Sequence, residues 1–153
     1  IPSQNVLSVV TDNLQNENAD FTFKIVVNEN TQNEKDYLNT VDSMIVEASS
    51  GTDKNQKIQI ALQQKDGTVY GKIIELTPEM QQFSIPFSEL KPVRQVLLPR
   101  PYPGFQSYWF ENKENANFDV LQVEAIQISM GPAVNAENHQ EKQGLLMRRI
   151  VLK

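Results

Sequence analysis

The regular alternation of apolar and polar residues is the feature of this chain that most limits its fold. Every second residue is apolar from Phe21 to Val27, and the same period of two returns over 58–62, 83–87 and 121–130. Such alternation is typical of strands that bury one face in a core. No stretch of about 12 residues repeats its apolar positions with the 3.6-residue period of a helix. The sequence therefore predicts an all-β protein, a two-sheet antiparallel β-sandwich of the jelly-roll kind with about eight strands.

The segments between the predicted strands carry turn and edge signals. Asp66-Gly67 separates two alternating segments, which predicts a tight β-hairpin. Pro86 has no backbone N–H, so its strand should lie at a sheet edge or carry a bulge. The apolar phase slips by one residue between Ala125 and Ile126, which predicts a short turn that leads into a strand, or a β-bulge.

Little helix is predicted. Residues 28–36 are polar throughout and are interpreted as a loop, whereas residues 87–90 and 117–122 are predicted to form single helical turns. We therefore expect only single-turn helices in the sandwich.

The composition argues against most enzyme classes. The chain has no cysteine, so it has no disulfide, thiolate metal site or cysteine nucleophile. Its single histidine, His139, lies among polar residues that are interpreted as a solvated loop. The net charge of -5 argues against nucleic-acid binding, and no apolar run approaches the roughly 20 residues that span a bilayer. We predict a protein that is not an enzyme, with neither nucleic acid nor membrane as a partner.

The chain length fits one domain. The 153 residues suit a single module over 1–153, with residues 1–5 interpreted as a linker. The chain begins Ile1-Pro2-Ser3 without an initiator methionine, and we expect it to be a module excised from a longer protein. Its surface is rich in amides, since the chain has 14 Asn and 15 Gln but only 14 Lys plus Arg.

Five of the twelve aromatic residues fall within nine positions, in a stretch that also contains three prolines and a glycine. They are Tyr102, Phe105, Tyr108, Trp109 and Phe110. Prolines restrict the backbone, so the loop would hold these rings with little entropy left to lose. A sugar site requires flat rings beside amide and guanidinium groups. The pyranose ring stacks on the flat ring, and its hydroxyl groups form hydrogen bonds with the amides and guanidinium groups. The predicted ligand-binding residues are Trp109, Tyr102, Arg100, Gln106, Tyr108 and Tyr70. The alternative is that most of the five rings pack the end of the sandwich.

Signals for catalysis or a metal are weak. Glu111, Glu114 and Asp119 lie near the aromatic residues, but their spacing does not place two of them across a cleft, as a glycosidase needs. No cofactor is predicted. A structural calcium could draw on loop carboxylates, although no Asp-x-Asp-x-Asp-Gly run supports it. Those carboxylates are Asp12, Glu17, Asp20 and Asp53.

Two stretches carry a family resemblance. Residues 83–90, Phe-Ser-Ile-Pro-Phe-Ser-Glu-Leu, resemble the aromatic-x-Ile-Pro-Phe/Leu-Ser-x-Leu strand of galactose-binding-domain-like jelly rolls. Residues 118–129 are similar to the turn and strand that follow in those domains. With the Asp66-Gly67 hairpin, the resemblance covers about residues 40 to 153. Residues 99–110 also resemble a stretch found in domains attached to polysaccharide enzymes of the Bacteroidetes type.

The resemblance implies a carbohydrate-binding module, usually non-catalytic, attached to a bacterial glycoside hydrolase or polysaccharide lyase. Its partners would be a polysaccharide or oligosaccharide and the parent catalytic domain in cis, at a secreted, cell-surface or periplasmic location. The same superfamily includes domains that bind no sugar and only brace a catalytic domain, and others that bind proteins. A structural or interaction domain that packs on a neighbouring catalytic domain is therefore the alternative interpretation.

Overall fold

The chain forms two antiparallel sheets that pack face to face, together with a two-stranded ribbon. The computed structural model describes residues 6–11, 21–27, 32–97, 108–110, 117–135 and 142–153, and only the backbone of residues 11, 32, 95–97 and 108–110. One sheet has the spatial order β1 (Leu7–Thr11), β11 (Gln143–Leu152), β3 (Ser43–Ser49), β6 (Gln81–Pro86). The other has the order β2 (Phe21–Val26), β10 (Val123–Met130), β4 (Gln56–Gln64), β5 (Val69–Leu76), β7 (Lys91–Pro92). The ribbon pairs β8 (Gln95–Leu97) with β9 (Tyr108–Phe110). The predicted β-sandwich is confirmed.

The core lies between the two sheets and is built from alternate residues of their strands. The four-stranded sheet contributes Met44, Val46, Ala48, Ile85, Leu145 and Met147. The five-stranded sheet contributes Ile58, Ile60, Leu62, Ile74, Leu76, Ile128 and Met130. Each fully buried side chain of this size contributes about 1.5–3 kcal/mol to folding. The period of two in the sequence therefore identified the inward face of the central strands.

The predicted turn at Asp66-Gly67 joins β4 to β5. Gly67 has a φ of 86°, a left-handed conformation that favours glycine. The Asp66 carboxylate accepts hydrogen bonds from the backbone N–H and the hydroxyl of Thr68, at 2.9 and 2.6 Å. The turn therefore sets the register in which Gln63 lies opposite Val69.

The predicted irregularities near Pro86 and Ala125 are also confirmed. Pro86 ends β6, which is an edge strand. Residues 120–122 form a single 3-10 turn that leads into β10, and β10 has a bulge between Val123 and Ala125 opposite β4. Residues 87–89 form the other predicted turn.

One helix is longer than the sequence predicts. Helix α1 (Gln32–Leu38) has two turns, whereas the sequence predicts a loop over residues 28–36 and only single-turn helices. Residues 33–37 are exposed, so the helix has no apolar stripe by which a 3.6-residue period could be recognised. The Tyr37 hydroxyl fastens it to the sandwich by donating to the Leu152 carbonyl at 3.0 Å. No helix in the described ranges is long and apolar enough to span a membrane.

Candidate functional site

The aromatic-rich segment leads into the β8–β9 ribbon. The backbone of Trp109 pairs with Val96, and that of Tyr108 pairs with Leu97. Arg100, Tyr102 and Gln106 lie outside the described residues. The role of these residues in ligand binding therefore stays a prediction.

Tyr70, the sixth predicted contact residue, packs inside the sandwich. It is 4% exposed, and its ring meets Phe118 edge-on with the centroids 5.5 Å apart. Phe118 in turn meets Phe87 at 5.2 Å, so the three rings form an aromatic triad. Burial, and then the nearby Asp66 carboxylate, raise the pKa of Tyr70 above its ordinary value. The structure thus places Tyr70 as a packing residue with no ring face open for stacking on a sugar.

The outer face of the five-stranded sheet has a different character. It is lined by amides and small residues that alternate with the core positions of β4 and β10. We call this surface the amide face, and its residues are Gln59, Ala61, Gln63, Ala125, Gln127 and Ser129. In the register of the two strands, Gln59 lies opposite Ser129 and Gln127 lies opposite Ala61.

The amide face is covered, although it points away from the core. All six of its residues are buried, and Gln127 and Ser129 are fully so. One described contact shows part of the cover, because the Gln59 side-chain amide donates to the Arg94 carbonyl at 3.3 Å. Arg94 immediately precedes β8, so the segment that enters the aromatic-rich ribbon begins against the amide face.

The bulge in β10 places a carboxylate beside this face. It leaves Glu124 as the extra residue between Val123 and Ala125, and the Glu124 carboxylate accepts a hydrogen bond from the Gln63 amide nitrogen at 2.8 Å. The Gln63 carbonyl oxygen is buried but accepts no hydrogen bond from the described part of the chain. An unsatisfied buried acceptor costs about 1–3 kcal/mol, so this oxygen favours any hydroxyl or water that can donate to it.

Buried glutamines elsewhere in the sandwich are satisfied by the chain itself. The side-chain oxygen of Gln56 accepts from the Gly144 backbone N–H at 2.8 Å. The side-chain oxygen of Gln64 accepts from the Asp119 N–H, and its nitrogen donates to the Thr68 hydroxyl at 2.8 Å. These amides hold loops, whereas the Gln63 oxygen is buried without a donor from the described part of the chain.

The amide face has the chemistry of hydrogen-bonded recognition. Glu124 is only half-buried at the edge of this face, so its carboxylate and the Gln63 oxygen beside it are the groups that can orient a ligand hydroxyl. The described residues contain no group of three or more His, Cys, Asp or Glu that could hold a metal. Asp119 caps its own 3-10 turn by accepting from the Leu121 N–H at 2.9 Å, and Glu111 and Glu114 lie outside the described residues.

Sequence reasoning missed the residues of the amide face. A signal was present, because Gln59 and Gln63 alternate with Ile58, Ile60 and Leu62. Alternation assigns such amides to the outward face, however, and does not reveal that they are buried there or that Gln59 contacts the Arg94 carbonyl.

Comparisons with solved structures find several chains that align with almost all of this one. A family 11 carbohydrate-binding module from Clostridium thermocellum, solved with a β-1,3-1,4-mixed-linked tetrasaccharide, is 11% identical with a TM-score of 0.49, over 97% of this chain and 88% of that one. An agarase, AgWH50C, is 13% identical with a TM-score of 0.55, over 98% of this chain and 22% of that one. An exo-β-agarase is 14% identical with a TM-score of 0.55, over 100% of this chain and 23% of that one. The likeness to the two agarases is one of fold alone.

The chain thus spans less than a quarter of the length of the two agarase chains. No protein-family model matches the sequence, and a search of curated proteins finds no significant match.

Proposed function

We propose that this chain is a non-catalytic carbohydrate-binding module, an accessory domain of a secreted or cell-surface bacterial enzyme that degrades polysaccharides. Affinity comes from rings of the segment 102–109 that stack on sugars, and from amides that bind their hydroxyl groups. The observation that carries the proposal is the unsatisfied Gln63 oxygen, which lies beside Glu124 on the amide face. Arg94, which precedes the ribbon, contacts the same face through Gln59.

A glycan suits this site better than other ligands do. Its hydroxyl groups both donate and accept, so one hydroxyl can donate to Gln63 while another donates to Glu124. An anionic ligand would be repelled by the Glu124 carboxylate, and a purely apolar ligand would leave the Gln63 oxygen without a donor. The sandwich fold shared with the agarase domains is compatible with this role.

The first experiment is affinity gel electrophoresis of the chain in a panel of neutral polysaccharides that includes agarose and mixed-linked β-glucan. We expect retardation in at least one gel. Gln63→Met keeps the length of the side chain and removes the acceptor, so it should weaken binding about tenfold, as expected for a lost hydrogen bond of about 1.4 kcal/mol. Unchanged binding by this variant would reject the assignment of Gln63.

The matched control is Gln82→Met. Gln82 is an exposed glutamine on β6 in the other sheet, opposite Glu47, so its replacement should leave retardation unchanged. If no polysaccharide retards the wild-type chain, the result contradicts the proposed function. It then favours the alternative, a structural domain that packs on a neighbouring catalytic domain.

Trp109 provides a second readout because it is the only tryptophan. If its ring stacks on the sugar, the bound polysaccharide should shift its emission, and Trp109→Ala should abolish retardation. Tyr37→Ala removes an exposed ring on α1, remote in sequence from the aromatic segment, and should not affect binding. An emission spectrum that stays constant under saturating ligand would exclude Trp109 from the site.

A further inference from the structure

A groove of about 460 Å³ lies at the end of the edge strand β6, where the chain enters the 3-10 turn at residues 87–89. Its walls come from two short segments, residues 41–43 at the start of β3 and residues 84–88. Sites for small ligands usually measure about 300–1,000 Å³. The groove, which we call the β6 groove, is therefore large enough to hold a small ligand.

The β6 groove opens on the outer face of the four-stranded sheet. Met44 and Val46 of β3 point into the core, so Ser43 points outward. Pro86 lies opposite Ser43 on β6, and Ser84 follows the same alternation. The amide face is the outer face of the other sheet, so the two surfaces lie on opposite sides of the sandwich.

The backbone that carries the groove is fixed by hydrogen bonds on both sides. The N–H groups of Asp42 and Ser43 both donate to the Lys153 carbonyl at 2.9 Å, and the Ser43 hydroxyl donates to it at 3.0 Å. The Asp42 carbonyl accepts from the Phe87 N–H at 2.8 Å, which joins the two walls. The Phe87 ring in turn packs edge-on against Phe118. A ligand would therefore meet a preformed groove and would not have to order its backbone.

Three polar side chains of the groove have no partner. The Asp42 carboxylate and the hydroxyls of Ser84 and Ser88 make no hydrogen bond or ion pair within the described part of the chain. All three residues are exposed, whereas Pro86 and Phe87 are half-buried and supply apolar surface beside them. The groove thus offers one carboxylate and two hydroxyls next to an apolar wall.

We propose that the β6 groove is a second sugar-binding site, which takes a neutral, hydroxyl-rich sugar unit of the polysaccharide that the amide face binds. The class of ligand rests on the proposed function. The Asp42 carboxylate accepts charge-assisted hydrogen bonds from sugar hydroxyls, and the serine hydroxyls can either donate or accept. The apolar face of the sugar ring packs against Pro86 and Phe87.

The charges of the groove favour a neutral sugar over a charged ligand. Among the described residues that line the groove, Asp42 is the only charged one, so an anionic ligand would be repelled. The adjacent Glu89 carboxylate is paired with Lys72 and adds no free charge. A cationic ligand would gain a single exposed ion pair, which contributes little affinity. A sugar unit, in contrast, has enough hydroxyl groups to bind the carboxylate and both serines.

Two sites on opposite sides of the sandwich make the module bivalent. Because the β6 groove and the amide face point away from each other, one module can hold two polysaccharide chains at once. In a gel, the two sites together should retard the chain more than either site does alone.

NMR titration of the labelled chain tests the proposal. The probe is an oligosaccharide prepared from agarose or from mixed-linked β-glucan, whichever polysaccharide retards the chain more. We expect backbone amide shifts at residues 42, 84 and 88 in addition to those around Gln63. Asp42→Ala should weaken binding at the groove at least about tenfold, the equivalent of 1.4 kcal/mol, and leave the shifts around Gln63 unchanged. The matched control is Glu79→Ala, because Glu79 is an exposed carboxylate at the other end of β6 and its replacement should change neither site.

The outcomes separate this proposal from the proposed function. Groove shifts that persist in Gln63→Met would support two independent sites. Shifts confined to the amide face, or groove binding that Asp42→Ala leaves unchanged, would overturn the second site while the proposed function stands. If neither polysaccharide retards the chain and neither oligosaccharide shifts any resonance, both the proposed function and the second site are rejected.

Discussion

Replacing Tyr70 with phenylalanine removes one hydroxyl group and leaves the aromatic triad in place. The Tyr70 hydroxyl is buried and has no hydrogen-bond partner in the described part of the chain. The ring itself packs against Phe118, which phenylalanine can do equally well. The substitution therefore isolates the free energy of one unsatisfied hydroxyl.

The expected effect is a gain in stability. A buried polar group without a partner costs about 1–3 kcal/mol, so its removal should raise the free energy of unfolding by about 1 kcal/mol. For a chain of this size, that gain corresponds to a rise in Tm of about 2–4 °C. Tyr70→Ala has the opposite effect, since loss of the ring leaves a cavity and costs about 3–5 kcal/mol.

Urea and thermal unfolding, followed by circular dichroism and by Trp109 fluorescence, measure both variants. Coincidence of the two probes verifies that unfolding is two-state, so that the free energies can be compared. A loss of more than 1 kcal/mol in Tyr70→Phe would refute the reasoning, because it would mean that the hydroxyl has a partner.

Three further predictions concern stability. Because burial raises the pKa of Tyr70, the folded chain keeps this proton where the unfolded chain has lost it, so the free energy of unfolding should fall as pH rises above about 10. Tyr70→Phe should show a shallower fall, measured by urea titrations at pH 9 and pH 11. Gly71→Ala would place a Cβ 2.6 Å from the Ile60 carbonyl oxygen and should cost about 1–3 kcal/mol in thermal unfolding. Gln56→Leu leaves the buried Gly144 N–H without its acceptor and should lower the free energy of unfolding by a similar amount, about 1–3 kcal/mol, measured by urea unfolding. An unchanged stability would show that water replaces the amide.

Much of the fold could be predicted from the sequence because the relevant signals are local. The alternation in β4 follows directly from strand geometry, and the Asp66-Gly67 turn depends on the conformation of one glycine. Pro86 and the phase slip at Ala125 also act through their own backbone positions. Helix α1 was missed because its exposed, polar residues show no periodicity.

The candidate site could not be predicted because its features depend on contacts between distant segments. Gln63 and Glu124 are 61 positions apart, and their hydrogen bond depends on the bulge in β10. The buried Gln59 side chain donates to the carbonyl of Arg94, 35 positions later in the chain. Tyr70 could be placed on one face of β5, but only the packing of Phe118 shows that this face is closed.

The position of the last two strands sets the order in which the sandwich can be completed. β10 lies between β2 and β4, and β11 lies between β1 and β3, so each late strand is inserted between early ones. Neither sheet can form its full ladder until residues 123–152 have been synthesised, and such distant pairings close slowly. Until then β1 lacks β11, the strand that it pairs with in the folded state. A ribosome that carries most of this chain therefore holds an uncharged, aggregation-prone segment, and a molecular chaperone would be most useful at that stage.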